Sequence, residues 1–358
     1  MNQISDQPRI NFKNWILTAI FFLTLGALHG LPGPGELEVH VIDVGQGSAV
    51  VLRTVDHAVL VDAGQDRTVA AYLQAIGVTH VDLAVASHAH ADHIGGFPAV
   101  FGALSVGELW YNGQTHTTRT FERFVDTLLT ASAVYHEPHR GEAREFGSLV
   151  VTSLHPSSSA RYYRGSLHDQ NIIIRADFGE FAIILPGDAE QLAEYAVLDA
   201  AMPLRATVLV LGHHGSRTSS TERFLRAVQP EVVFYQAGVD NRYGHPHREI
   251  IRRVERITGA PIFGTDNYGT IILTATAQGR WTVVTGETRL SPQALCIDVN
   301  SASAVELTEL VHIGTARAER IIQLRPIASL EALRAIPGIG PARLQDIRDQ
   351  GLVCPVGR

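Results

Sequence analysis

The chain has 358 residues, of which 45% are hydrophobic and 18% are charged, and its formal net charge is −7. This length is enough for two domains, and the apolar content is that of a globular protein, which excludes disorder as the default. The negative net charge excludes a global basic field that would steer the whole molecule onto nucleic acid, so any contact with nucleic acid must be local.

Residues 1–35 are predicted to be a targeting segment with its linker. Arg9 and Lys13 precede the apolar run WILTAIFFLTLGALHGL at residues 15–31, and PGPG follows it. A basic flank before a short apolar core is typical of a signal peptide or an uncleaved N-terminal anchor. The run is marginal for a spanning helix, which needs roughly 20 residues. We therefore expect export to the periplasm or the extracellular space, with cleavage and anchoring both open; a buried core helix is the structural alternative.

Residues 36–290 are predicted to form an α/β domain. ELEVHVIDVGQGSAVVLRT alternates apolar and polar residues and predicts two strands around a tight turn, and HAVLVDAG predicts a third strand. TVAAYLQAIGV is expected to be helical, and HVDLAVASHAHADH is a strand that runs into a histidine-rich segment. Later strands are expected at SLVVTSLHP, QNIIIRADFG, EFAIILPGDAE, ATVLVLGHHGS and EVVFYQAG, with helices at QLAEYAVLDAA, STERFLRAV and HREIIRRVERI. Strands that later alternate with helices predict sheets with helices packed outside.

The segment SHAHADHIGG, residues 87–96, carries four potential metal ligands. Within the six positions 88–93 lie His88, His90, Asp92 and His93. Neutral imidazole and carboxylate are the usual protein ligands of zinc-like metals. A solvated polar loop is the structural alternative, but three histidines and an aspartate at this spacing favour a metal site.

Other polar residues follow directly on apolar runs, where predicted strands end. These residues are Asp62, Asp188, His213 and His214, in addition to the 87–96 segment. Strand ends that share one edge of a sheet converge on a single site. A site for two ions uses a shared carboxylate that lets the ions lie about 3.5–4 Å apart, and Asp188, preceded by the turn-forming Gly187, suits that bridging position.

The motifs HAHADH, PGDAE, GHHGSRTSS and NRYGHP, in this order, resemble the metallo-β-lactamase superfamily. The opening IDVGQGSAVVL and VLVDAG resemble the branch that contains the C-terminal hydrolase domain of ComEC-type DNA-uptake proteins. The resemblance covers about residues 38–285. It implies a four-layer αβ/βα sandwich with a dinuclear metal site, usually Zn²⁺ and sometimes Mn²⁺. It also implies hydrolysis of esters, amides or phosphodiesters by a metal-bound hydroxide.

The resemblance implies a ligand for each position of the site. His88 and His90 are expected at the first metal, Asp92 and His93 at the second, and Asp188 between them. His213 or His214 is expected to complete the first metal, and His245 the second. His168, and less directly His155, are alternatives, because many superfamily members use a histidine before the strand that leads to the bridging aspartate. That position is often Asn in the ComEC-like branch, which favours His213 and His214.

The same motifs suggest roles in catalysis and substrate binding. Asp92 is expected to orient the hydroxide, and the histidine of the 213–214 pair that is not a ligand, taken as His214, is expected to donate a proton to the leaving group. Ser216 and Arg217 lie where a helix is predicted to begin and are expected to bind a phosphate oxygen; helix capping is the alternative reading of Ser216. Asn241 and Tyr243 are expected to shape the pocket.

Residues 291–358 are predicted to be a separate, all-α domain. LTELVHIGTARAERII and LEALRAIPGIGPARLQDI are two similar units, each a helix, a glycine-centred hairpin and a helix. They resemble the tandem helix-hairpin-helix domain of ComEA-like DNA receptors, in which hairpin amides hold DNA phosphates without reading sequence. Gly314, Gly338 and Gly340 are the candidate DNA-binding residues. The first unit has His312 where the second has Gly338, which puts its grip in doubt. A helical packing domain is the alternative.

The two cysteines, Cys296 and Cys354, bracket this last segment. In an oxidising compartment they could form a disulfide that staples a small domain. Two unpaired thiols are the alternative.

Together these features predict an exported metal-dependent nuclease or phosphodiesterase that acts on DNA and is linked to DNA uptake, with DNA and a membrane or uptake machinery as partners. Two alternatives stay open from the sequence. One is a hydrolase of another small phosphodiester or ester. The other is an extracytoplasmic DNA receptor without catalytic activity.

Overall fold

The computed structural model describes residues 31–158, 166–285, 297–302, 304–307, 310–350 and 353–354. Residues 1–30, most of the predicted targeting segment, lie outside the described residues. Among the helices that are described, none is long and apolar enough to cross a membrane.

Two mixed sheets form the centre of residues 36–285. The first sheet has eight strands in the order β15-β14-β1-β2-β3-β4-β5-β6 and the second has seven in the order β13-β12-β11-β10-β9-β8-β7. The strands of the first sheet are β1 Glu36–Val41, β2 Val50–Arg53, β3 Ala58–Val61, β4 His80–Ala86, β5 Ser105–Tyr111, β6 Val134–His136, β14 Ile271–Thr276 and β15 Trp281–Thr285. Those of the second are β7 Ala143–Phe146, β8 Leu149–His155, β9 Ile173–Phe178, β10 Phe181–Leu185, β11 Val208–Val210, β12 Val232–Tyr235 and β13 Ile262–Gly264.

Each sheet is antiparallel on one side and parallel on the other. Strands β3 to β6 pair in parallel in the first sheet, and strands β10 to β13 do so in the second. Parallel strands need crossover connections, which are usually helical, and the helices of this domain lie largely in those connections. The carboxyl ends of the parallel strands of each sheet therefore lie at one edge, and the site is built there.

The helices cover the outer faces of both sheets. They are α1 Thr68–Ala75, α2 Ala91–Ile94, α3 Phe97–Ala103, α4 Arg119–Thr130, α5 Gln191–Asp199, α6 Glu222–Val228, α7 Arg248–Thr258 and α8 Thr265–Tyr268. One apolar core lies between the sheets, a second lies between the first sheet and α1, α3 and α4, and a third lies between the second sheet and α5, α6 and α7. This is the predicted four-layer αβ/βα sandwich, and the α/β fold class is confirmed.

Four helices and six strands of the α/β domain were not among the predicted elements, and one helix was placed too early. The helices are α2, α3, α4 and α8, of which α3 and α4 bury Phe97 and Phe124 against the first sheet, and the strands are β5, β6, β7, β13, β14 and β15. The helix expected to begin at residues 216–219 begins instead at Glu222, because Thr221 caps it by accepting a hydrogen bond from the backbone N–H of Phe224 (3.3 Å).

The C-terminal segment forms a helical unit with its own core. It contains α9 Ala304–Leu307, α10 Thr315–Gln323, a 3-10 helix at Leu330–Ala335 and α11 Pro341–Gln350. Its core is apolar and separate from the other three, with Leu310, Ile321, Leu333 and Ile347 at its centre. Cys354 is disulfide-bonded, and the other cysteine, Cys296, lies outside the described residues.

A buried charged network joins β1, β2 and α1. Arg53 is 2% exposed, and its Nε donates to Glu38 Oε2 at 2.7 Å. His40 Nε2 lies 3.0 Å from the same oxygen, and the Tyr72 hydroxyl lies 2.7 Å from His40 Nδ1. Burial opposes ionisation of Glu38, but hydrogen bonds from His40 and Arg53 outweigh it and lower the pKa of Glu38. The Glu38 carboxylate therefore stabilises the fold as an anion.

We predict that Glu38→Gln lowers the free energy of unfolding at pH 7 by on the order of 2 kcal/mol, because it leaves the Arg53 guanidinium buried without its counter-charge. A carboxylate with a depressed pKa stabilises above its unfolded pKa, near 4.5, and loses that contribution as the pH falls through its folded pKa. The difference between variant and wild type should therefore shrink in acid. Urea unfolding between pH 7 and pH 3 measures it.

The matched control for this prediction is Glu145→Gln, on the exposed face of edge strand β7. It should change the unfolding free energy by less than about 0.5 kcal/mol at every pH. An equal loss in both variants, or a loss at Glu38 that does not depend on pH, would contradict the stabilising role of the anion.

Candidate metal centre

Polar residues from both sheets meet at the carboxyl ends of the parallel strands. Asp62 follows β3, and the histidine-rich segment follows β4 in the first sheet. Asp188 follows β10, and the 3-10 turn Gly212–Gly215 follows β11 in the second sheet. Because ligands in open α/β sheets are bound beyond the carboxyl ends of strands, the two sheets together form one site.

The first group of potential ligands contains three histidines and Asp188. His88, His90, His168 and Asp188 each offer a ligand atom, and these atoms all lie within 4.8 Å of one another. His90 Nδ1 lies 2.9 Å from His88 Nε2 and 3.3 Å from His168 Nε2. Asp188 Oδ2 faces this group, at 3.8 Å from His88 Nε2 and 3.9 Å from His168 Nε2.

The second group lies on the other side of the same carboxylate. Asp92, His93 and His214 have ligand atoms within 4.8 Å of one another. Asp188 Oδ1 lies 3.1 Å from His93 Nε2 and 3.4 Å from His214 Nε2, and Asp92 Oδ2 lies 3.3 Å from His214 Nε2. Each oxygen of Asp188 therefore faces one group, which is the arrangement of a carboxylate shared by two cations.

The second group fits a metal ion because its ring nitrogens lack other partners. His93 Nε2 and His214 Nε2 are buried and make no hydrogen bond within the described part of the chain. The opposite nitrogens are held: His93 Nδ1 lies 2.7 Å from Asp62 Oδ2, and His214 Nδ1 lies 3.0 Å from the backbone oxygen of Gln236. Such contacts place the proton on Nδ1 and leave the Nε2 lone pair for a metal.

The electrostatics of the site favour the ligand forms of these side chains. Burial, with help from the neighbouring His93, holds the pKa of His88 well below its usual value, and burial lowers the pKa of His90 to about 4. Against the effect of burial, His93 and His214 hold the pKa of Asp188 well below its usual value, and the close contact with His214 lowers the pKa of Asp92 to about 2. Metal binding requires neutral imidazole and ionised carboxylate, and these are the forms favoured at His88, His90, Asp92 and Asp188. Against the effect of burial, the neighbouring carboxylates raise the pKa of His93 and of His214, so a cation would compete there with a proton.

A third group extends the first one outward. Glu190 Oε1 lies 3.0 Å from His213 Nδ1 and 3.4 Å from His168 Nδ1, and it accepts a hydrogen bond from Thr218 Oγ1 at 2.8 Å. His213 Nε2 points back toward the shared carboxylate and lies 3.7 Å from Asp188 Oδ2. His213 is thus held by an anion on one side and faces the site on the other.

The third histidine of each group differs from the sequence-based expectation. His168, rather than His213, lies with His88 and His90, and His214, rather than His245, lies with Asp92 and His93. His213 and His214 both have left-handed backbone conformations, with φ of 50° and 56°. With this backbone conformation, the two neighbouring side chains belong to different ligand groups. The periodicity of a helix or strand does not predict such an arrangement.

His245 and His155 lie outside the three groups. His245 stacks on His214, with ring centroids 6.0 Å apart, and burial lowers the pKa of His245 to about 3. His155 is buried, and its Nδ1 lies 2.8 Å from the backbone oxygen of Asn171.

The predicted substrate-binding residues differ in what their side chains can reach. Arg217 is exposed beside the site, whereas Ser216 is 4% exposed and its hydroxyl lies 2.9 Å from Thr218 Oγ1. Asn241 uses its amide within its own loop: Nδ2 donates to the Gly238 oxygen at 2.9 Å, and Oδ1 accepts from the backbone N–H of His245 at 3.0 Å. Arg217 is therefore the one of the three whose side chain is open to a ligand.

Three residues support the ligands: Asp62, which the sequence placed at the site without a role, and Asn171 and Gln236, which it did not predict. Asp62 accepts from Ser87 N at 2.8 Å as well as contacting His93, and Asn171 Oδ1 accepts from Asp188 N at 3.0 Å. Gln236 spans the two sheets by donating to the backbone oxygens of Ile42 and Ala49, at 3.1 and 2.8 Å. Asp62 and Gln236 each follow an apolar strand, and that position was the available signal.

The two hairpins of the C-terminal unit have the same local geometry. His312 has φ of 66° and Gly338 has φ of 85°, so the histidine adopts the left-handed conformation of the glycine it replaces. Five residues after each, an arginine donates to its carbonyl oxygen: Arg317 to His312 at 2.7 Å and Arg343 to Gly338 at 2.8 Å. His312 therefore leaves the local shape of the first hairpin like that of the second.

Both parts of the chain match models of known protein families. Residues 42–238 match the model of the metallo-beta-lactamase superfamily, and residues 293–350 match the model of the helix-hairpin-helix motif. The first match covers more than half of the chain. Proteins of this fold bind divalent metal ions, as the histidine and aspartate groups described above would allow.

Three relatives illustrate the similarity. The protein named "ComE operon protein 3" of Bacillus subtilis (strain 168) is 26% identical over 257 residues, which is 66% of this chain and 33% of that protein. "Competence protein ComA" of Neisseria gonorrhoeae is 33% identical over 249 residues, 66% of this chain and 32% of that protein. A "Deoxyribonuclease" of Thioalkalivibrio sp. (strain K90mix) is 50% identical over 62 residues, 17% of each chain. The alignments with the two competence relatives span about a third of their length.

We predict that wild-type protein binds two divalent ions per chain and that His168→Ala lowers this to about one, because it removes a ligand of the first group. His245→Ala serves as the matched control and should retain two ions, since His245 lies outside the ligand groups and packs against neighbouring rings. Loss of a supporting contact weakens metal binding by about 10- to 100-fold, and loss of a ligand weakens it more. Elemental analysis after dialysis against Zn²⁺ at a fixed free concentration measures both.

If the His168→Ala variant kept two ions and the His245→Ala variant lost one, the ligand set expected from the sequence would be the correct one. Circular dichroism of each variant establishes that the fold is retained before the metal content is compared.

Proposed function

Because the chain belongs to the metallo-β-lactamase superfamily, we propose that it is an exported, metal-dependent phosphodiesterase that cleaves DNA. In this proposal residues 36–290 are the hydrolase domain and residues 291–358 are a DNA-binding domain. The observation that carries the proposal is the occurrence in one chain of a carboxylate shared between two ligand groups and of two regular helix-hairpin-helix turns. The first supplies hydrolytic chemistry and the second supplies contacts to phosphates.

The proposed metal ligands follow the groups in the structure. His88, His90 and His168 hold the first ion, and Asp92, His93 and His214 hold the second, with Asp188 shared between them. Zn²⁺ suits this set of imidazole and carboxylate ligands, and Mn²⁺ is the alternative. When bound, two such ions supply a nucleophilic water at neutral pH and polarise a phosphoryl oxygen.

The residues of the chain itself orient the reactants and move a proton. Asp92 is 24% exposed on the open side of the site, where it orients the attacking water. His214 was expected to donate the proton to the leaving group, but it lies within the second ligand group, so this role passes to His213. Glu190 holds His213 Nδ1 at 3.0 Å and leaves its Nε2 facing the site, from which the ring donates a proton to the leaving oxygen. The exposed Arg217 binds a non-bridging phosphate oxygen.

DNA is proposed as the substrate because of the C-terminal unit and its relatives. Gly314 and Gly340 precede the helices α10 and α11, and the first turn of each helix has backbone N–H groups without intrahelical partners that can bind phosphate, although Pro341 at the start of α11 offers none. Gly338 forms the turn of the second hairpin. These contacts go to the backbone and do not read sequence. Similarity to a protein named deoxyribonuclease supports the same substrate.

Export and a link to DNA uptake are proposed on two grounds. The basic-flanked apolar run of residues 15–31 is typical of a signal peptide or anchor, and the relatives over residues of the hydrolase domain include proteins named for competence. A protein outside the cytoplasm that acts beside a membrane uptake machinery accounts for both.

We predict that purified residues 36–358 cleave labelled DNA in Zn²⁺ or Mn²⁺ and that Asp188→Ala lowers the rate by at least about a thousandfold, because both ions share that carboxylate. Gel analysis of single- and double-stranded DNA, with and without EDTA, measures this. The matched control is Asp177→Ala, on strand β9 away from the site, which should cleave as the wild type does. DNA binding without cleavage by the metal-loaded wild type would exclude the nuclease and favour a DNA receptor.

A second prediction concerns the hairpins. A Cβ atom at Gly314 or at Gly340 would meet nothing within 4 Å, so the double variant Gly314→Glu, Gly340→Glu adds two negative charges without a clash. Acidic residues at helix N-termini do not disfavour the helices, but they should repel phosphate. We expect the KM for DNA to rise by about tenfold or more at low salt. Hydrolysis of bis(p-nitrophenyl) phosphate should not change.

The control for this variant is the uncharged pair Gly314→Gln, Gly340→Gln, which adds the same bulk. Equal effects of Glu and Gln, or an unchanged KM for DNA with Glu, would argue that the C-terminal unit packs without holding DNA.

A further inference from the structure

Three rings lie in nearly parallel planes from the metal centre outward. The rings of His214 and His245 are 6.0 Å apart between centroids with an interplanar angle of 26°, and those of His245 and Tyr243 are 5.7 Å apart at 20°. These are the values of offset-stacked aromatic pairs. Exposure rises along the row, from 4% at His214 to 9% at His245 and 48% at Tyr243. The row therefore begins at a metal ligand group and ends in a large exposed ring.

The loop that carries Tyr243 is fixed by hydrogen bonds and not by burial. Asn241 Oδ1 accepts from the backbone N–H groups of Tyr243 (3.2 Å) and His245 (3.0 Å), and its Nδ2 donates to the Gly238 oxygen (2.9 Å). Val239 in the same loop is 64% exposed. The loop therefore presents two large exposed side chains, Tyr243 and Val239, next to His245 in the sequence.

A positive charge lies at the outer end of the row. The Arg242 guanidinium lies 4.9 Å from the centroid of the Tyr243 ring, and its Nη2 donates to the Tyr243 hydroxyl at 2.7 Å. The arginine is exposed, and Tyr243 and Asp92 both stabilise its charge and raise the pKa of Arg242. An aromatic face with a neighbouring guanidinium is the combination that binds a base and its phosphate in single-stranded nucleic acid.

We propose that Tyr243 is a stacking platform for an unpaired nucleobase next to the scissile phosphate, with Arg242 facing the adjoining phosphate, so that this site takes single-stranded nucleic acid. This inference rests on the proposed function. A paired base has both faces covered by its neighbours in the duplex, whereas an unpaired base offers a face to an aromatic side chain. Every base has such a face, and recognition at Tyr243 is therefore independent of sequence.

The C-terminal unit cannot supply this stacking contact. Residues 291–358 contain no Phe, Tyr or Trp, so its contacts to nucleic acid go to phosphates and not to base faces. A signal that reports base stacking on an aromatic ring thus does not come from the C-terminal unit, and Tyr243 is the exposed ring at the end of the row that begins at a ligand group.

The test uses the metal-loaded protein and single-stranded oligonucleotides that carry 2-aminopurine, whose fluorescence falls when it stacks. Wild type and Tyr243→Phe should quench it and cleave the strand with similar KM. Tyr243→Leu should lose the quenching and raise the KM about tenfold or more. An oligonucleotide with abasic sites in place of the bases should show no difference between these proteins. Tyr135→Leu, at an exposed tyrosine on edge strand β6 that is 45% accessible, is the matched control and should act as the wild type.

Quenching that Tyr243→Leu retains would overturn the proposal, as would an equal loss on the abasic strand, which would mean that the loop has lost its shape. The same dependence on Tyr243 with a fully paired duplex would overturn the preference for single strands. Quenching by the wild type without any cleavage would overturn the proposed nuclease and leave the stacking site standing, so the two failures are distinguishable.

Discussion

The burial of the Asp188 carboxylate is the constraint on which the metal centre depends. The residue is 3% exposed, and a buried anion is costly unless cationic or hydrogen-bonding partners surround it. Its backbone N–H is held by Asn171, while its two oxygens face two different sets of imidazole nitrogens. Asp188 in turn raises the pKa of His93 and of His214, and two divalent cations would balance its charge further. Five imidazole rings have a nitrogen within 3.9 Å of this carboxylate: those of His88, His93, His168, His213 and His214.

The fold brings Asp188 to this position through a backbone that only a glycine suits. Gly187 has φ of 53°, and a Cβ atom there would lie 2.7 Å from Asn171 Oδ1 and 2.8 Å from Ser87 Cβ. The turn therefore presses β10 against residues that follow β4 of the other sheet. Gln236 makes a second connection between the sheets through the backbone oxygens of Ile42 and Ala49. The two halves of the sandwich are in this way joined at the site, where ligands from both must converge.

The sequence predicted the parts of the site that are local and missed those that depend on packing. HAHADH and the Gly187–Asp188 turn lie directly after buried strands, so their place at one edge follows from strand direction. Which of His168, His213, His214 and His245 belong to the two ligand groups does not follow from strand direction. It depends on the left-handed backbone at residues 213 and 214 and on the segment before β9 that carries His168. In the fold, α3 and α4 were missed, while the strands named from their apolar runs were found.

In the proposed function, the two parts of the chain divide the recognition of a polyanion, and their composition explains this division. The C-terminal hairpins offer backbone amides and arginines but no aromatic ring, and His312 shows that the turn can be made without glycine when its carbonyl is held by Arg317. They can hold a phosphate chain but cannot distinguish paired from unpaired bases. The hydrolase domain, by contrast, offers an aromatic ring, because the row of three rings that ends at Tyr243 leads outward from the ligand groups. A strand held by its backbone at one end and by a base at the other is fixed in both position and direction, which is what cleavage at a defined phosphodiester requires.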